Sequence, residues 1–214
     1  MWVISLSSVV GSGPARGRSG RDDRAALAAD KGNAPALRRI PPPGDGVAGA
    51  MQFYLDCDGV LADFDAGAAR VLGCPPRAYR QRHGLARFWA ALARAPDFYG
   101  QLPLMPDAMA LFDAVRPLAP IILTGCPRGT WAQPQKERWA ARHFPGTRLV
   151  TCLAVDKSRH CRPGDVLVDD TPTHRHLWEG MGGVFILHRS ARASLRTLAA
   201  HLPGGLPGEG SGAA

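Results

Sequence analysis

Short apolar runs alternate with helix-length amphipathic segments through most of the chain. Runs short enough for β-strands lie at residues 52–55, 120–123, 148–152, 166–168 and 184–187. Segments with apolar residues at helical spacing lie between or after them, at residues 106–115, 131–143 and 191–201. Apolar strands separated by helices predict an α/β fold with a Rossmann-like parallel sheet and crossover helices.

One stretch interrupts this rhythm directly after the first strand. Residues 66–105 contain no strong strand pattern and are rich in arginine and aromatic residues. We interpret them as a small helical cap inserted into the sheet-bearing domain. Within the cap, Phe88 and Trp89 have a spacing that fits packing on the core, and stacking on a ligand is the alternative.

The two ends of the chain differ in composition from the middle. Residues 1–50 are rich in Gly, Pro and Arg and have little apolar material to bury, which predicts a disordered leader. Met51 stands directly before the first strand, so the alternative is that this leader is not part of the native protein. We expect one globular domain over residues 51–203 and a disordered tail over residues 204–214.

Composition excludes several classes of protein. No apolar run reaches the roughly 18 residues of a membrane-spanning helix, and the first ten residues lack the basic segment of a secretory signal. The five cysteines form no Cys-x-x-Cys pair, which argues against a disulfide framework and a zinc ribbon. These observations predict a cytoplasmic protein with no membrane partner.

The chain is basic, with 26 Lys and Arg against 18 Asp and Glu, a net charge of +8. Residues 1–50 have seven basic and four acidic residues, and residues 51–203 have nineteen and thirteen. No dense block of Lys and Arg is present, so the sequence carries no strong nucleic-acid signal. The charge on residues 51–203 is compatible with attraction of a phosphate dianion.

Polar side chains follow four of the predicted strands. They are Asp56, Asp58, Thr124, Lys157, Asp169 and Asp170. Ligands of open parallel sheets bind beyond the carboxyl ends of the strands, so we expect these side chains to converge. The carboxylates suit a hard cation such as Mg²⁺, and one of them could attack phosphorus while its neighbour transfers a proton. The hydroxyl and the ammonium suit phosphoryl oxygens.

Lys157 also stands out by residue type. The chain has 23 Arg and only three Lys, so arginine is its usual cation. A compact ammonium at a crowded anion site is a physical reason to keep lysine there.

Four motifs resemble those of the haloacid dehalogenase-like hydrolase superfamily. They are DCDGVLADF at residues 56–64, ILTG at 122–125, DK at 156–157 and VLVDD at 166–170. An aspartate at position 58 resembles the phosphatases and phosphomutases of that superfamily. The resemblance implies that the strand before Asp56 lies in the middle of the sheet.

Three segments are similar to the 5'(3')-deoxyribonucleotidase family: DGVLADF, APDFYGQLPLMPDA at residues 95–108 and KERWAARHFPG at 136–146. This resemblance implies that Asp56 is the nucleophile and Asp58 the acid and base. It implies a Mg²⁺ site formed by Asp56, the Asp58 carbonyl and Asp170, with Asp169 beside it. Thr124, Gly125 and Lys157 would bind phosphate, and Phe64, Phe98 and Tyr99 would pack against a nucleobase. The second motif reads TGCP instead of Thr-Ser-Pro, and residues 66–94 match poorly, so nucleotide specificity stays open.

The sequence therefore predicts a Mg²⁺-dependent phosphomonoester hydrolase that acts through an aspartyl-phosphate, with a (deoxy)nucleoside 5'-monophosphate as substrate. Three alternatives remain: the same chemistry on another small phosphate, a phosphatase for polynucleotide ends, and a binding protein without activity. We expect a small phosphorylated ligand as partner, and homodimer formation stays open.

Overall fold

The structure, a computed structural model, describes residues 51–202. The predictions for residues 1–50 and 204–214 lie outside the described residues. Five parallel strands form one sheet in the order β3-β2-β1-β4-β5. Their bounds are β1 Phe53–Leu55, β2 Ile121–Gly125, β3 Leu149–Cys152, β4 Val166–Asp169 and β5 Val184–Leu187. The predicted parallel α/β sheet is confirmed, and the strand before Asp56 is its central strand.

Within residues 51–202, six α-helices accompany the sheet. They are α1 Phe64–Leu72, α2 Pro76–Arg94, α3 Ala108–Val115, α4 Ala132–His143, α5 Arg175–Gly180 and α6 Ala191–Ala199. The three predicted helices correspond to α3, α4 and α6, with ends that differ by one or two residues. Helix α5 was not predicted, because six residues are too few to show a helical period. The connection from β3 to β4 is the 3-10 segment Ala154–His160 rather than an α-helix.

Both faces of the sheet are buried, which explains why its strands are continuously apolar rather than alternating. On one face Leu55 and Ile122 belong to a large core that includes Trp139 of α4. On the other face Tyr54 belongs to a smaller core that includes Trp178 of α5. Successive residues of a strand point to opposite faces, so each strand contributes to both cores.

The cap consists of α1 and α2, which pack on each other. Asp63 caps the amino end of α1, because its carboxylate accepts a hydrogen bond from the Ala66 amide at 2.9 Å. Helix α2 is broken at Gly84, whose φ of 79° and ψ of 166° lie in a region almost restricted to glycine. Phe88 and Leu92, which follow this break, are buried. The predicted helical cap after the first strand is confirmed.

Two hydrogen bonds fix the end of the cap to the sheet-bearing part. The Trp139 indole donates to the Leu102 carbonyl at 2.8 Å, and the Met105 amide donates to the Leu61 carbonyl at 2.8 Å. The segment that carries the cap aromatics therefore stands in a fixed position relative to the loop after β1.

Within residues 51–202, no helix has the length and apolar character needed to cross a membrane. All five cysteines are free thiols.

Candidate active site

The loop after β1 places two aspartates at the carboxyl edge of the sheet. The Asp56 amide donates to the Val168 carbonyl of β4 at 2.9 Å, and the amides of Leu61 and Ala62 donate to the Cys57 carbonyl at 2.8 Å each. Burial raises the pKa of the Cys57 thiol, whose side chain lies in the core. The turn thus directs the carboxylates away from the core.

Gly59 permits the close approach of a third carboxylate to this turn. Its φ is 76°, and a Cβ atom at this position would lie 2.3 Å from Oδ2 of Asp170. An alanine would be strained by its backbone and would displace the carboxylate. The glycine therefore leaves space for Asp170 directly beside the loop of Asp56 and Asp58.

Asp56, Asp169 and Asp170 form a carboxylate cluster, with one oxygen from each within 4.8 Å of the others. Lys157 Nζ lies 2.8 Å from Oδ1 of Asp56 and 2.7 Å from Oδ2 of Asp169. Desolvation lowers the pKa of this buried lysine, but the two carboxylates outweigh it and the net shift is upward. Lys157 is therefore a permanent cation.

The two carboxylates after β4 differ in how fully they are paired. Asp169 accepts hydrogen bonds at both oxygens, from the Thr171 amide at 2.8 Å and from Lys157. Asp170 accepts one bond, from the Thr171 hydroxyl at 3.1 Å. Burial and the neighbouring Asp56 raise the pKa of Asp169, and the same causes raise the pKa of Asp170 to about 6.

This donor set fits a hard divalent cation. Three carboxylates share one ammonium, so the cluster has an excess of negative charge, and the raised pKa values of Asp169 and Asp170 report that excess. Mg²⁺ prefers oxygen ligands and is commonly held by one or two carboxylates plus waters. The side chain of Asp58 does not join the cluster, so only its main-chain carbonyl remains a candidate ligand from that residue.

A second buried lysine, which the sequence analysis did not select, holds Asp58. Lys136 Nζ donates to Oδ2 of Asp58 at 2.7 Å and to the Thr124 hydroxyl at 2.8 Å, and the lysine is 1% exposed. It also lies 4.4 Å from the centre of the Tyr99 ring. Oδ1 of Asp58 is buried and has no hydrogen-bond partner among the described residues.

These contacts determine the charge states of the pair. Burial raises the pKa of Asp58 although Lys136 opposes the shift. Desolvation lowers the pKa of Lys136, but the attraction of Asp58 gives a net upward shift. Two signals could have identified Lys136: it is one of only three lysines, and it begins the segment KERWAARHFPG.

Only two of the three predicted phosphate-binding residues line the cavity. Gly125 and Lys157 line the cavity above the carboxylates, whereas Thr124 is fully buried beneath Lys136. The amide of Cys126 is already used, because it donates to the Cys152 carbonyl at 2.7 Å. Neither Thr124 nor the Lys136 that its hydroxyl binds lines the cavity.

The cavity has a volume of about 970 Å³, and its floor holds the carboxylates and Lys157. Aromatic side chains from the cap and its flanks form a wall. They are Phe64, Phe88, Trp89 and Tyr99. Phe98, also predicted to contact a base, is 3% exposed and does not line the cavity; it packs edge-on against Phe64 at 5.5 Å. Three exposed arginines, Arg80, Arg128 and Arg189, line the cavity as well.

No protein-family model matches the chain. A curated human protein, the cytosolic type of 5'(3')-deoxyribonucleotidase, is 29% identical over 154 residues, which is 60% of this chain and 75% of the relative. In the structure, residues of all four predicted motifs also lie together at one edge of the sheet. In these four motifs the chain resembles the haloacid dehalogenase-like hydrolase superfamily.

Two solved structures of hydrolases are similar to this chain, each with a low TM-score. A hydrolase from Streptococcus pneumoniae has a TM-score of 0.44 at 14% identity and covers 70% of this chain and 98% of its own. The L-2-haloacid dehalogenase from Xanthobacter autotrophicus has a TM-score of 0.41 at 16% identity and covers 72% of this chain and 84% of its own.

The pairing of Lys136 with Asp58 predicts a coupled effect on stability. Lys136→Met leaves a buried carboxylate without its counter-ion, so we expect the free energy of unfolding to fall by about 3–5 kcal/mol. The double variant Asp58→Asn/Lys136→Met removes the lone charge and should recover about 1–3 kcal/mol relative to the sum of the single effects. Urea unfolding measures all three variants. Arg138, on the same helix as Lys136, has an exposed pair with Asp97, and Arg138→Met should lower the free energy of unfolding by no more than about 1 kcal/mol. Strict additivity of the single effects would contradict a direct pairing.

The raised pKa of Asp170 predicts a pH-dependent penalty in the metal-free protein. Below about pH 4 its carboxyl is neutral in both the folded and the unfolded chain. As the pH rises through 6, the folded chain must carry a poorly compensated charge, and stability is lost. We expect Asp170→Asn to be more stable than the original chain by about 1–3 kcal/mol at pH 7, and equally stable at pH 4.

The same variant tests the cation. Mg²⁺ should raise the melting temperature of the original chain at pH 7 and leave that of Asp170→Asn unchanged, as thermal unfolding with and without EDTA measures. The exposed Asp113→Asn should follow the original chain in both experiments. An equal Mg²⁺ effect on Asp170→Asn would exclude Asp170 as a ligand.

Proposed function

We propose that the protein is a Mg²⁺-dependent phosphomonoester hydrolase that acts on nucleoside 5'-monophosphates through an aspartyl-phosphate. The observation that carries this proposal is the asymmetry of the two aspartates in the first motif. Asp56 lies in the carboxylate cluster beside Lys157, whereas Asp58 is held at one oxygen by Lys136 and is unpaired at the other. Two carboxylates in such different environments suit two different roles.

Asp56 is the nucleophile. A carboxylate oxygen forms a bond to phosphorus while the bond from phosphorus to the ester oxygen breaks, which gives an aspartyl-phosphate and an alcohol. Water then attacks the phosphorus of the aspartyl-phosphate, which releases inorganic phosphate and regenerates the Asp56 carboxylate. The hydrogen bond between the Asp56 amide and the Val168 carbonyl holds the backbone of the nucleophile in place.

Asp58 transfers the proton in both steps. Its raised pKa makes the protonated carboxyl accessible, and in the first step this carboxyl protonates the departing ester oxygen. In the second step the carboxylate accepts a proton from the attacking water. Lys136 fixes Oδ2, so Oδ1 is the oxygen available for proton transfer.

The remaining groups bind the charge of the phosphoryl oxygens. Asp56, Asp170 and the Asp58 carbonyl would hold Mg²⁺, which when bound neutralises phosphoryl charge. Asp169 uses both oxygens in hydrogen bonds and so positions Lys157, which supplies a second positive charge.

The aromatic wall supports a nucleotide rather than another phosphate ester. Phe64 and Trp89 are half-buried and line the cavity above the catalytic floor, and a base stacked on such side chains gains about 1–3 kcal/mol. The name of the human relative, a 5'(3')-deoxyribonucleotidase of cytosolic type, supports both this substrate class and a cytoplasmic location.

Asp56→Asn tests the mechanism. We expect phosphate release to fall by at least about 1,000-fold, because the amide cannot form the covalent intermediate, while the melting temperature stays within a few degrees of the original. With p-nitrophenyl phosphate, whose leaving group needs no proton, Asp58→Asn should accumulate an acid-stable phosphoryl adduct that mass spectrometry locates on Asp56. Normal turnover by Asp56→Asn, or an adduct on another residue, would refute the mechanism.

A panel of phosphomonoesters, with and without Mg²⁺, tests the substrate. We expect kcat/KM for nucleoside 5'-monophosphates to exceed that for sugar and cofactor phosphates by about 10-fold or more. Trp89→Ala should lower kcat/KM for the nucleotides by about 5–100-fold and leave sugar phosphates unaffected. Equal activity on sugar phosphates would instead support a phosphatase for another small phosphate.

A further inference from the structure

The net positive charge of the described chain lies in residues 66–96, which form most of the cap. Residues 51–202 have nineteen basic and thirteen acidic residues. Residues 66–96 contain six of these basic residues and none of the acidic ones, so the rest of the described chain has thirteen of each and is neutral. The sequence pattern conceals this concentration, because the arginines are spaced along the helices rather than adjacent.

All six cap arginines are exposed. They are Arg70, Arg77, Arg80, Arg82, Arg87 and Arg94, which together we name the basic cap surface. Within residues 51–202, none of them lies within ion-pair distance of a carboxylate, although several arginines elsewhere are paired, such as Arg138 with Asp97. Like charges along one helix repel one another, so this arrangement favours binding of an external anion.

The basic cap surface is continuous with the catalytic cavity. Arg80 lines the cavity, and its guanidinium lies 5.4 Å from the centre of the Phe88 ring. Trp89, on the same helix, contributes to the aromatic wall. Positive charge that follows a backbone, next to aromatic rings that stack bases, is the combination by which proteins bind single-stranded nucleic acid.

The basic cap surface has more arginines than the binding of one mononucleotide requires. Its arginines lie at the end of α1 and on both sides of the break at Gly84 in α2. Six guanidinium groups outnumber the single phosphate of a mononucleotide. Such a surface can therefore contact several phosphates at once.

We propose that the basic cap surface binds the sugar-phosphate backbone of a short single-stranded oligonucleotide whose terminal phosphate enters the catalytic cavity. This inference rests on the proposed phosphomonoesterase activity and adds oligonucleotide ends to its substrates. A single strand fits because its terminal base is free to leave the stack and lie against the aromatic wall.

Two triple variants with equal loss of charge test the proposal. Arg77→Gln/Arg82→Gln/Arg87→Gln removes three arginines of the surface that do not line the cavity. Arg148→Gln/Arg162→Gln/Arg196→Gln removes three exposed arginines from other parts of the fold. Arg148 directly precedes β3 and Arg162 lies four residues before β4, so both are at the amino ends of the strands, on the side of the sheet opposite to the cavity.

Binding is measured without turnover. The full chain in EDTA is titrated against a 5'-phosphorylated decathymidylate with a 3' fluorophore, and anisotropy is followed between about 50 and 200 mM NaCl. We expect the cap triple to weaken binding by about 10-fold or more, and to flatten the plot of log affinity against log salt by about 2. The control triple should change affinity by no more than about twofold.

Turnover is measured with Mg²⁺ on thymidine 5'-monophosphate and on the unlabelled oligonucleotide. The cap triple should lower kcat/KM for the oligonucleotide by about 10-fold and change that for the mononucleotide by no more than about twofold. The triple Arg77→Lys/Arg82→Lys/Arg87→Lys keeps the charge and should retain most of the oligonucleotide activity.

Equal loss of binding in the cap and control triples would overturn the proposal, because it would show an effect of net charge alone. Tighter binding of a blunt duplex than of the single strand would overturn it as well. If the original chain releases no phosphate from either substrate, the proposed function fails, and the binding experiment alone still decides whether the cap binds a strand.

Discussion

The site depends on one electrostatic constraint, the neutralisation of four carboxylates gathered at the edge of a buried sheet. Burial and the like charges of Asp56 and Asp169 raise the pKa of Asp170 to about 6. Two buried ammonium groups neutralise different carboxylates. Lys157 pairs with Asp56 and Asp169, and Lys136 pairs with Asp58. Asp170 is left with no cation of its own among the described residues, which is the electrostatic reason to expect a metal ion beside it.

Much of this arrangement is predictable because it follows from local rules. Parallel strands end at the same edge of a sheet, so the convergence of Asp56, Lys157 and Asp170 follows from the apolar runs and the residues after them. The location of Asp58 is predictable as well, because it lies in the loop that follows the same strand as Asp56. The central place of β1 and the cap after it came from the family resemblance and from the interrupted strand pattern, and both are confirmed by the strand and helix order.

Other features depend on packing between segments that are distant in sequence, so they could not be predicted from the strand pattern. Lys136 reaches Asp58 only because Trp139 and its neighbours fix the face that α4 turns toward the sheet. Thr124 has the position expected of a phosphate ligand, yet its hydroxyl is taken by Lys136. Phe98 and Tyr99 are adjacent in sequence, and only the path of the segment after α2 decides which of them lines the cavity. Residues that act through tertiary contacts therefore need the fold before a role can be assigned.

The distribution of charge separates chemistry from recognition. Outside residues 66–96 of the described chain, positive and negative residues balance, and the buried Lys136 and Lys157 pair with carboxylates, so this part has no net charge to attract a phosphate over a long distance. The cap has unpaired positive charge in exposed arginines, where solvent and salt screen it. In the proposed function, the cap would supply the long-range attraction of an anion, and the floor of the cavity would cleave the bond. The hydrogen bonds of Leu102 and Met105 join the end of the cap to α4 and to the loop after β1, so the cap has a fixed position relative to Asp56.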